Sequence, residues 1–240
     1  MIKYIAFDAD DTLWENEPYF RETEKRFVEM LAPNSAYDTT ELKELLYDYI
    51  VENVPAYGYG TRSLMLSLVG FCNQYATCNV SEMIESTIKL GQEQLSKPVV
   101  LLPDVEKTLK SLSQNYELLL ITKGDLKEQN RKIVESGLTP SFKHVRVLEE
   151  KDEASYLNFF QELGIEMSEV VMVGNSYKSD ILPIEALGGH AIFIPYKSTW
   201  AFESAPKKDS KRIFERGSIA EVPILISSIQ YDQKNVPHKL

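Results

Sequence analysis

The strongest constraint on this chain is a rhythm. Short runs that are apolar at almost every position alternate with segments of helical length. The runs are Tyr4–Phe7, Glu117–Thr122, Val145–Leu148, Val170–Val173 and Ala191–Pro195. A strand with one wet face alternates apolar with polar residues. A strand covered on both faces need not, and parallel strands packed between helices are the usual case. Helical patterns fill the intervals at about residues 104–114, 125–136, 152–163 and 179–187. Gly137, Gly164 and Gly188 follow three of them, where a left-handed residue closes a last turn. The rhythm predicts an α/β fold built on a parallel sheet.

One region departs from it. Between Glu15 and Lys97 no strand pattern occurs, and four helical patterns do. Leu42, Leu45, Leu46, Tyr49 and Ile50 follow helical spacing, and Phe20, Phe27, Met30 and Leu31 make a stripe after Pro18. Segments near 63–75 and 81–95 complete the set. The expected organisation is therefore an α/β core from residues 1–14 and 98–240, interrupted by an all-helical domain over 15–97.

Composition limits the possible partners. The 240 residues carry a net charge of −10, and the insert alone holds 13 acidic against 7 basic side chains. Such an excess disfavours nucleic acid or an anionic membrane as a partner. Cys72 and Cys78 are too few for a disulfide framework, and nothing nearby completes a zinc set. No run reaches the roughly 20 apolar residues of a membrane span. The opening apolar run is too short for a secretory leader, so a cytoplasmic location is expected, as a monomer or weak homodimer.

Chemistry concentrates at the end of the first apolar run, in Asp8-Ala9-Asp10-Asp11-Thr12. Open α/β sheets bind ligands at the carboxyl ends of their strands. Residues two apart on extended chain point the same way, so Asp8 and Asp10 can face one pocket. Paired carboxylates repel unless a cation or a raised pKa intervenes, and a hard ion such as Mg²⁺ is one answer. An acidic turn that caps a helix is the other. Asp11 reads as a loop or helix-start residue, and His144, His190 and His238 stand alone and read as structural.

The pattern of Asp8, Asp10 and Thr12 after a strand resembles the first motif of the haloacid dehalogenase superfamily. Three more segments agree in order. Thr122-Lys123-Gly124, ending a strand, resembles the second motif. Lys151 stands where a third-motif lysine is expected, with Lys143 as the alternative. Gly174-Asn175-Ser176, with Asp180 six residues after Gly174, resembles the fourth. The resemblance implies a Rossmann-like, doubly wound parallel sheet and a helical cap that shapes the pocket and excludes water.

It also implies a mechanism. Asp8 would attack phosphorus and form an aspartyl phosphate, and Asp10 would serve as general acid and then base. Thr12, Thr122 and Lys123 would bind phosphate, and Lys151 would neutralise the shared charge. Mg²⁺ would be held by Asp8, by the Asp10 carbonyl and by Asn175 or Asp180. The fourth motif usually begins Gly-Asp, so Asn175 removes one negative charge from the site. In the insert, Tyr57, Tyr59 and Arg62 form a glycine-bearing loop whose aromatics and cation would suit a small-molecule phosphate ester bearing a sugar, a nucleotide or a flavin, or else a helix–helix turn. A 2-haloacid dehalogenase or a sugar phosphomutase would share the fold. In the dehalogenase Asp10 would be superfluous, because a halide leaves without a proton. A phosphoacceptor receiver domain would place its aspartate after the third strand and would lack an insert.

Overall fold

The computed structural model describes residues 1–235, and His238 lies outside them. Six strands form one sheet: β1 (Tyr4–Phe7), β2 (Glu117–Lys123), β3 (His144–Leu148), β4 (Val170–Gly174), β5 (His190–Phe193) and β6 (Ile213–Glu215). Their order is β3-β2-β1-β4-β5-β6. β1 pairs in parallel with β2 and β4, β4 with β5, and β5 with β6. This is the order of a doubly wound sheet, as the apolar runs predict.

The reason the strands lack a polar face is visible in β1. Ile5, Ala6 and Phe7 are all fully buried. Ile5 and Phe7 join Leu118, Leu120, Val171 and Val173 in one layer, against helices α5 (Val105–Leu112) and α9 (Val222–Asn235). Ala6 joins Leu119, Ile121, Val170 and Met172 in the other, against α7 (Glu153–Glu162) and α8 (Leu182–Ala186). Alternate residues thus feed opposite cores, and no position is left for a polar side chain.

By its contacts the chain divides into two compact units. One contains residues 1–15, 99–122 and the chain from 133 onward; the other contains 16–98 and 123–132. The second unit is helical: α1 (Glu17–Leu31), α2 (Thr39–Tyr57), α3 (Thr61–Tyr75) and α4 (Val80–Leu95), with the first part of α6 (Leu126–Glu135). Its core centres on Phe71, which meets Phe27 edge-on at 6.1 Å and stacks on Tyr75 at 4.3 Å. Residues 123–132 belong here because polar side chains bind them in. The Thr61 amide and hydroxyl donate to the Glu128 carboxylate at 2.8 and 2.7 Å, and Lys132 Nζ donates to Asn16 Oδ1 at 3.0 Å. The sequence division left this stretch with the sheet, because such pairings have no local pattern.

Two elements extend beyond the predicted rhythm, β6 and α9. β6 has three residues, too few to show a period. α9 does carry a stripe, Val222, Leu225, Ile226 and Ile229, at helical spacing. The segment expected as a helix over 179–187 is also altered. It opens as a π-helical turn over Tyr177–Ile181, and only Leu182–Ala186 is α-helical. Among the described residues no helix is long and apolar enough to cross a membrane.

Leu119 sits fully buried at the middle of β2. Leu119→Ala should lower the stability of the sheet unit by about 2–5 kcal/mol, the usual cost of truncating a core leucine. Denaturant unfolding followed by circular dichroism measures this. A cost under about 1 kcal/mol would contradict the double-sided burial described here.

Candidate active site

The strand order reverses between β1 and β4, where the chain leaves in opposite directions and opens a crevice at the carboxyl ends. Asp8 lies at that point. Its amide donates to the Val173 carbonyl at 2.9 Å, which extends the β1–β4 ladder one residue beyond β1. The chain then folds into a tight turn: the Thr12 and Leu13 amides donate to the Ala9 carbonyl at 3.2 and 2.8 Å. Asp11 takes a left-handed conformation at φ 61°, and its amide donates to the Trp14 carbonyl at 2.7 Å. The turn places the Trp14 indole against Asp10, with Nε1 donating to Oδ1 at 2.7 Å. Asp11 is thus a loop residue, as expected, and Trp14 is a partner of Asp10 that the motif spacing does not reveal.

Lys151 organises the centre. It is buried, and its ammonium donates to Asp8 Oδ1 at 2.5 Å and to Asp180 Oδ1 at 2.7 Å. Burial works against the lysine's charge, but Asp180 and Asp8 outweigh it and hold the group well above the ordinary lysine value. Burial pushes the Asp8 carboxyl up to about 7; Lys151 opposes that shift and Asp180 adds to it. Asp180 is fixed on its other side by the Ser176 amide, which donates to Oδ2 at 2.9 Å. A Cβ at Gly174 would overlap the Asp180 carboxylate, so only glycine fits there. Lys143, the alternative to Lys151, is at an exposed position just before β3.

Asn175 closes the cluster. One terminal atom of its amide faces Asp8 Oδ2 at 3.1 Å, the main-chain carbonyl of Asp10 at 3.2 Å and the Thr12 hydroxyl at 3.2 Å. With nitrogen in that place the amide donates to all three. With oxygen there, Thr12 donates to it and to Asp8 Oδ2, and oxygens of Asp8, Asp10 and Asn175 converge. A half-turn of the amide separates the two arrangements, and the second is what a hard cation recruits. Among the described residues no three His, Cys, Asp or Glu side chains gather in ligating geometry. A cation here would therefore rely on mixed carboxylate, carbonyl and amide oxygens, and the residues present fit one. Both oxygens of Asp180 already hold partners, so Asn175 is the better-placed donor.

The structure thus brings Asp8, Asp10, Thr12, Lys151, Asn175 and Asp180 together. Thr122 is buried at the end of β2, the strand next to β1. The remaining predicted residues belong to the helical unit. There Lys123 Nζ lies 4.2 Å from the centre of the Tyr59 ring, a cation–π contact. Arg62 pairs with Asp125 at 2.5 Å, while Tyr57 accepts a hydrogen bond from Ser63 at its carbonyl. Asp125 uses its other oxygen to accept the Glu128 amide at 2.8 Å, so it caps α6 while holding Arg62. Gly58 and Gly60, with φ of 71° and 96°, make the connecting loop possible.

A parallel α/β sheet with aspartate, lysine and a fourth-strand amide gathered at its switch point defines a class of hydrolytic enzyme. Residues 2–188 match the family model described as haloacid dehalogenase-like hydrolase. The chain belongs to that family. It is 28% identical over 196 residues to a glyceraldehyde 3-phosphate phosphatase of Methanocaldococcus jannaschii, covering 78% of this chain and 82% of that one. It is 25% identical over 190 residues to the enzyme of the same name from Methanopyrus kandleri, covering 75% and 78%. Among solved structures, a haloacid dehalogenase-like family hydrolase from Xanthomonas campestris superposes with a TM-score of 0.85. That pair is 28% identical, with 98% of this chain and 95% of the other covered.

Lys151 keeps its proton throughout the neutral range. Lys151→Met leaves two buried carboxylates without a cation, at a cost of about 3–5 kcal/mol. Burial already raises the Asp8 carboxyl, and losing Lys151 removes the group that opposes that shift, so the deficit should be large at pH 8 and smaller at pH 5. Denaturant titrations of both proteins at the two pH values test this. An equal deficit at both would mean that the charge pairing is not its source.

Proposed function

We propose that the protein is a Mg²⁺-dependent phosphatase that hydrolyses a small-molecule phosphate ester through an aspartyl phosphate on Asp8. The observation that carries this reading is the pairing of two aspartates with different partners. Asp8 meets a buried ammonium, while Asp10 meets a neutral indole. The first environment suits a nucleophile that shares its charge with a phosphoryl group. The second suits a carboxyl that gives and takes a proton.

In the first step a bond forms between an Asp8 carboxylate oxygen and phosphorus as the bond to the alcohol oxygen breaks. Asp10 gives its proton to that departing oxygen. Trp14 holds Asp10 Oδ1, which fixes the carboxyl's orientation during the transfer. In the second step Asp10 takes a proton from water, the water oxygen attacks phosphorus, and the Asp8 carboxylate leaves with inorganic phosphate released. Lys151 stays within reach of Asp8 throughout, and Thr12, Thr122 and the Lys123 amide are the candidate phosphate donors. Asp8, the Asp10 carbonyl and Asn175 would hold Mg²⁺, which supplies positive charge against the phosphoryl oxygens. Both Asp180 oxygens are engaged by Lys151 and Ser176, which supports Asn175 over Asp180 as ligand.

A dehalogenase would have no use for Asp10 and its indole partner, and a receiver domain has neither this strand position nor this length. The relatives' names make three-carbon sugar phosphates the first esters to try. The Tyr57–Arg62 loop is the candidate for selectivity. Arg62 is held by Asp125, so substrate would have to share or displace that pairing.

A panel of phosphate esters with and without Mg²⁺ tests the assignment. Phosphate release is expected only with the metal. Asp8→Asn should abolish it, and Asp10→Asn should slow it about 10²–10⁴-fold. Release that survives Asp8→Asn would refute the mechanism. Asn175→Ala should raise the Mg²⁺ concentration needed for half-maximal turnover at least tenfold, and an unchanged requirement would remove Asn175 from the ligand set.

A further inference from the structure

The turn that follows β4 is held from outside by a distant stretch of chain. Glu203 lies in a short 3₁₀ turn, Ala201–Glu203, beyond β5. Its carboxylate oxygen Oε2 accepts the Ser176 hydroxyl at 2.6 Å and the Ser179 hydroxyl at 2.5 Å. Ser176 Oγ in turn accepts the Ser179 amide at 2.9 Å. On the inner side the Ser176 amide donates to Asp180 Oδ2, and the Asp180 amide donates back to the Ser176 carbonyl at 2.8 Å. Tyr156, buried in α7, donates its hydroxyl to the Ser179 carbonyl at 3.2 Å. The chain of contacts from Glu203 to Asp8 is therefore continuous: two serines, Asp180, Lys151, nucleophile.

We infer that Glu203 is a positioning residue for the reaction, acting through Ser176 and Ser179 on Asp180 and hence on Lys151. The inference rests on the reading of Asp8 as the phosphorylated group. The backbone here is a π-helical turn, five residues closed by a wide ring. Such turns are uncommon and persist where other contacts hold them. One carboxylate oxygen that receives both hydroxyls is such a contact, and charge assistance makes each bond stronger than a neutral one. Without it both buried serines lose a charged acceptor, with Ser176 keeping the Glu203 main-chain carbonyl at 3.2 Å, and the Ser176 amide is held less firmly toward Asp180. Asp180 would then hold Lys151 less firmly. Substrate binding groups are left in place, so the effect belongs in turnover.

A second attachment of the same stretch supplies the control. Lys178 Nζ donates to the Phe202 carbonyl at 3.3 Å and lies 3.6 Å from the centre of the Phe202 ring. Removing Lys178 loosens the strap without touching Glu203.

The test uses the full chain with the ester that it hydrolyses best in the panel. Glu203→Ala should lower kcat about tenfold or more with KM within twofold. Glu203→Gln, whose amide oxygen still accepts a hydroxyl, should recover most of the loss. Ser176→Ala/Ser179→Ala should lose as much as Glu203→Ala, and combining all three changes should add little, because they act as one unit. This serine pair also serves if Glu203→Ala does not fold. Lys178→Met should keep kcat within twofold. A folded Glu203→Ala with wild-type kcat, a loss confined to KM, or an equal loss in Lys178→Met would each overturn the assignment. Activity that survives Asp8→Asn would instead remove the reading on which it rests.

Discussion

A buried ammonium between two carboxylates is the interaction on which the rest of the site depends. Asp8 and Asp180 come from different strand ends, and without Lys151 their charges would oppose folding at this point. Ion pairs this deeply buried seldom add net stability over an apolar replacement, because both partners lose their water. Their presence at a strand-order reversal therefore calls for a reason other than stability. The reason offered by the geometry is that the cluster fixes one aspartate in direction. Its neighbour Asp10 accepts a hydrogen bond from the Trp14 indole.

The sheet makes that arrangement affordable. β1 and β4 are buried on both faces, and their register places Phe7 beside Val173. The next residue on each strand, Asp8 and Gly174, emerges where the two chains separate. Glycine at 174 then leaves the volume that the Asp180 side chain fills. A larger residue would push Asp180 from Lys151. The backbone of β4 is thus as much part of the site as the charged groups are.

How much of this was legible in the sequence follows from where the information lies. The α/β fold was legible because the burial of a strand on both faces is written in consecutive residues. Asp8, Asp10, Thr12 and Asn175 could be singled out because short spacings tie them to strand ends. Trp14 was within reach, four residues from Asp10, but an indole after an acidic turn has many other uses. Glu203 could not be found: it sits 24 residues from Ser179, in a segment without period, and its role exists only once β5 has returned the chain. The attachment of residues 123–132 to the helical unit is the same kind of fact. Thr61 and Glu128 are 67 residues apart, and nothing near either announces the other. β6 was hidden by brevity alone.

The acidic character of the chain can now be placed. A net charge of −10 is spread over a surface in solvent, where ions screen it within about 8–10 Å. At the switch point the local sum differs. The ion-paired groups there, Asp8, Asp180 and Lys151, sum to one negative charge when both acids are ionised, and the asparagine at position 175 adds none. A divalent cation would offset negative charge there, and with aspartate at position 175 it would meet one negative charge more. The departure of this fourth motif from Gly-Asp thus has an electrostatic consequence. On the proposed reading it would weaken the hold on a metal while leaving the loaded site more attractive to a phosphate dianion. On that reading a chain with an acidic surface would gain binding for an anion where the field is least screened.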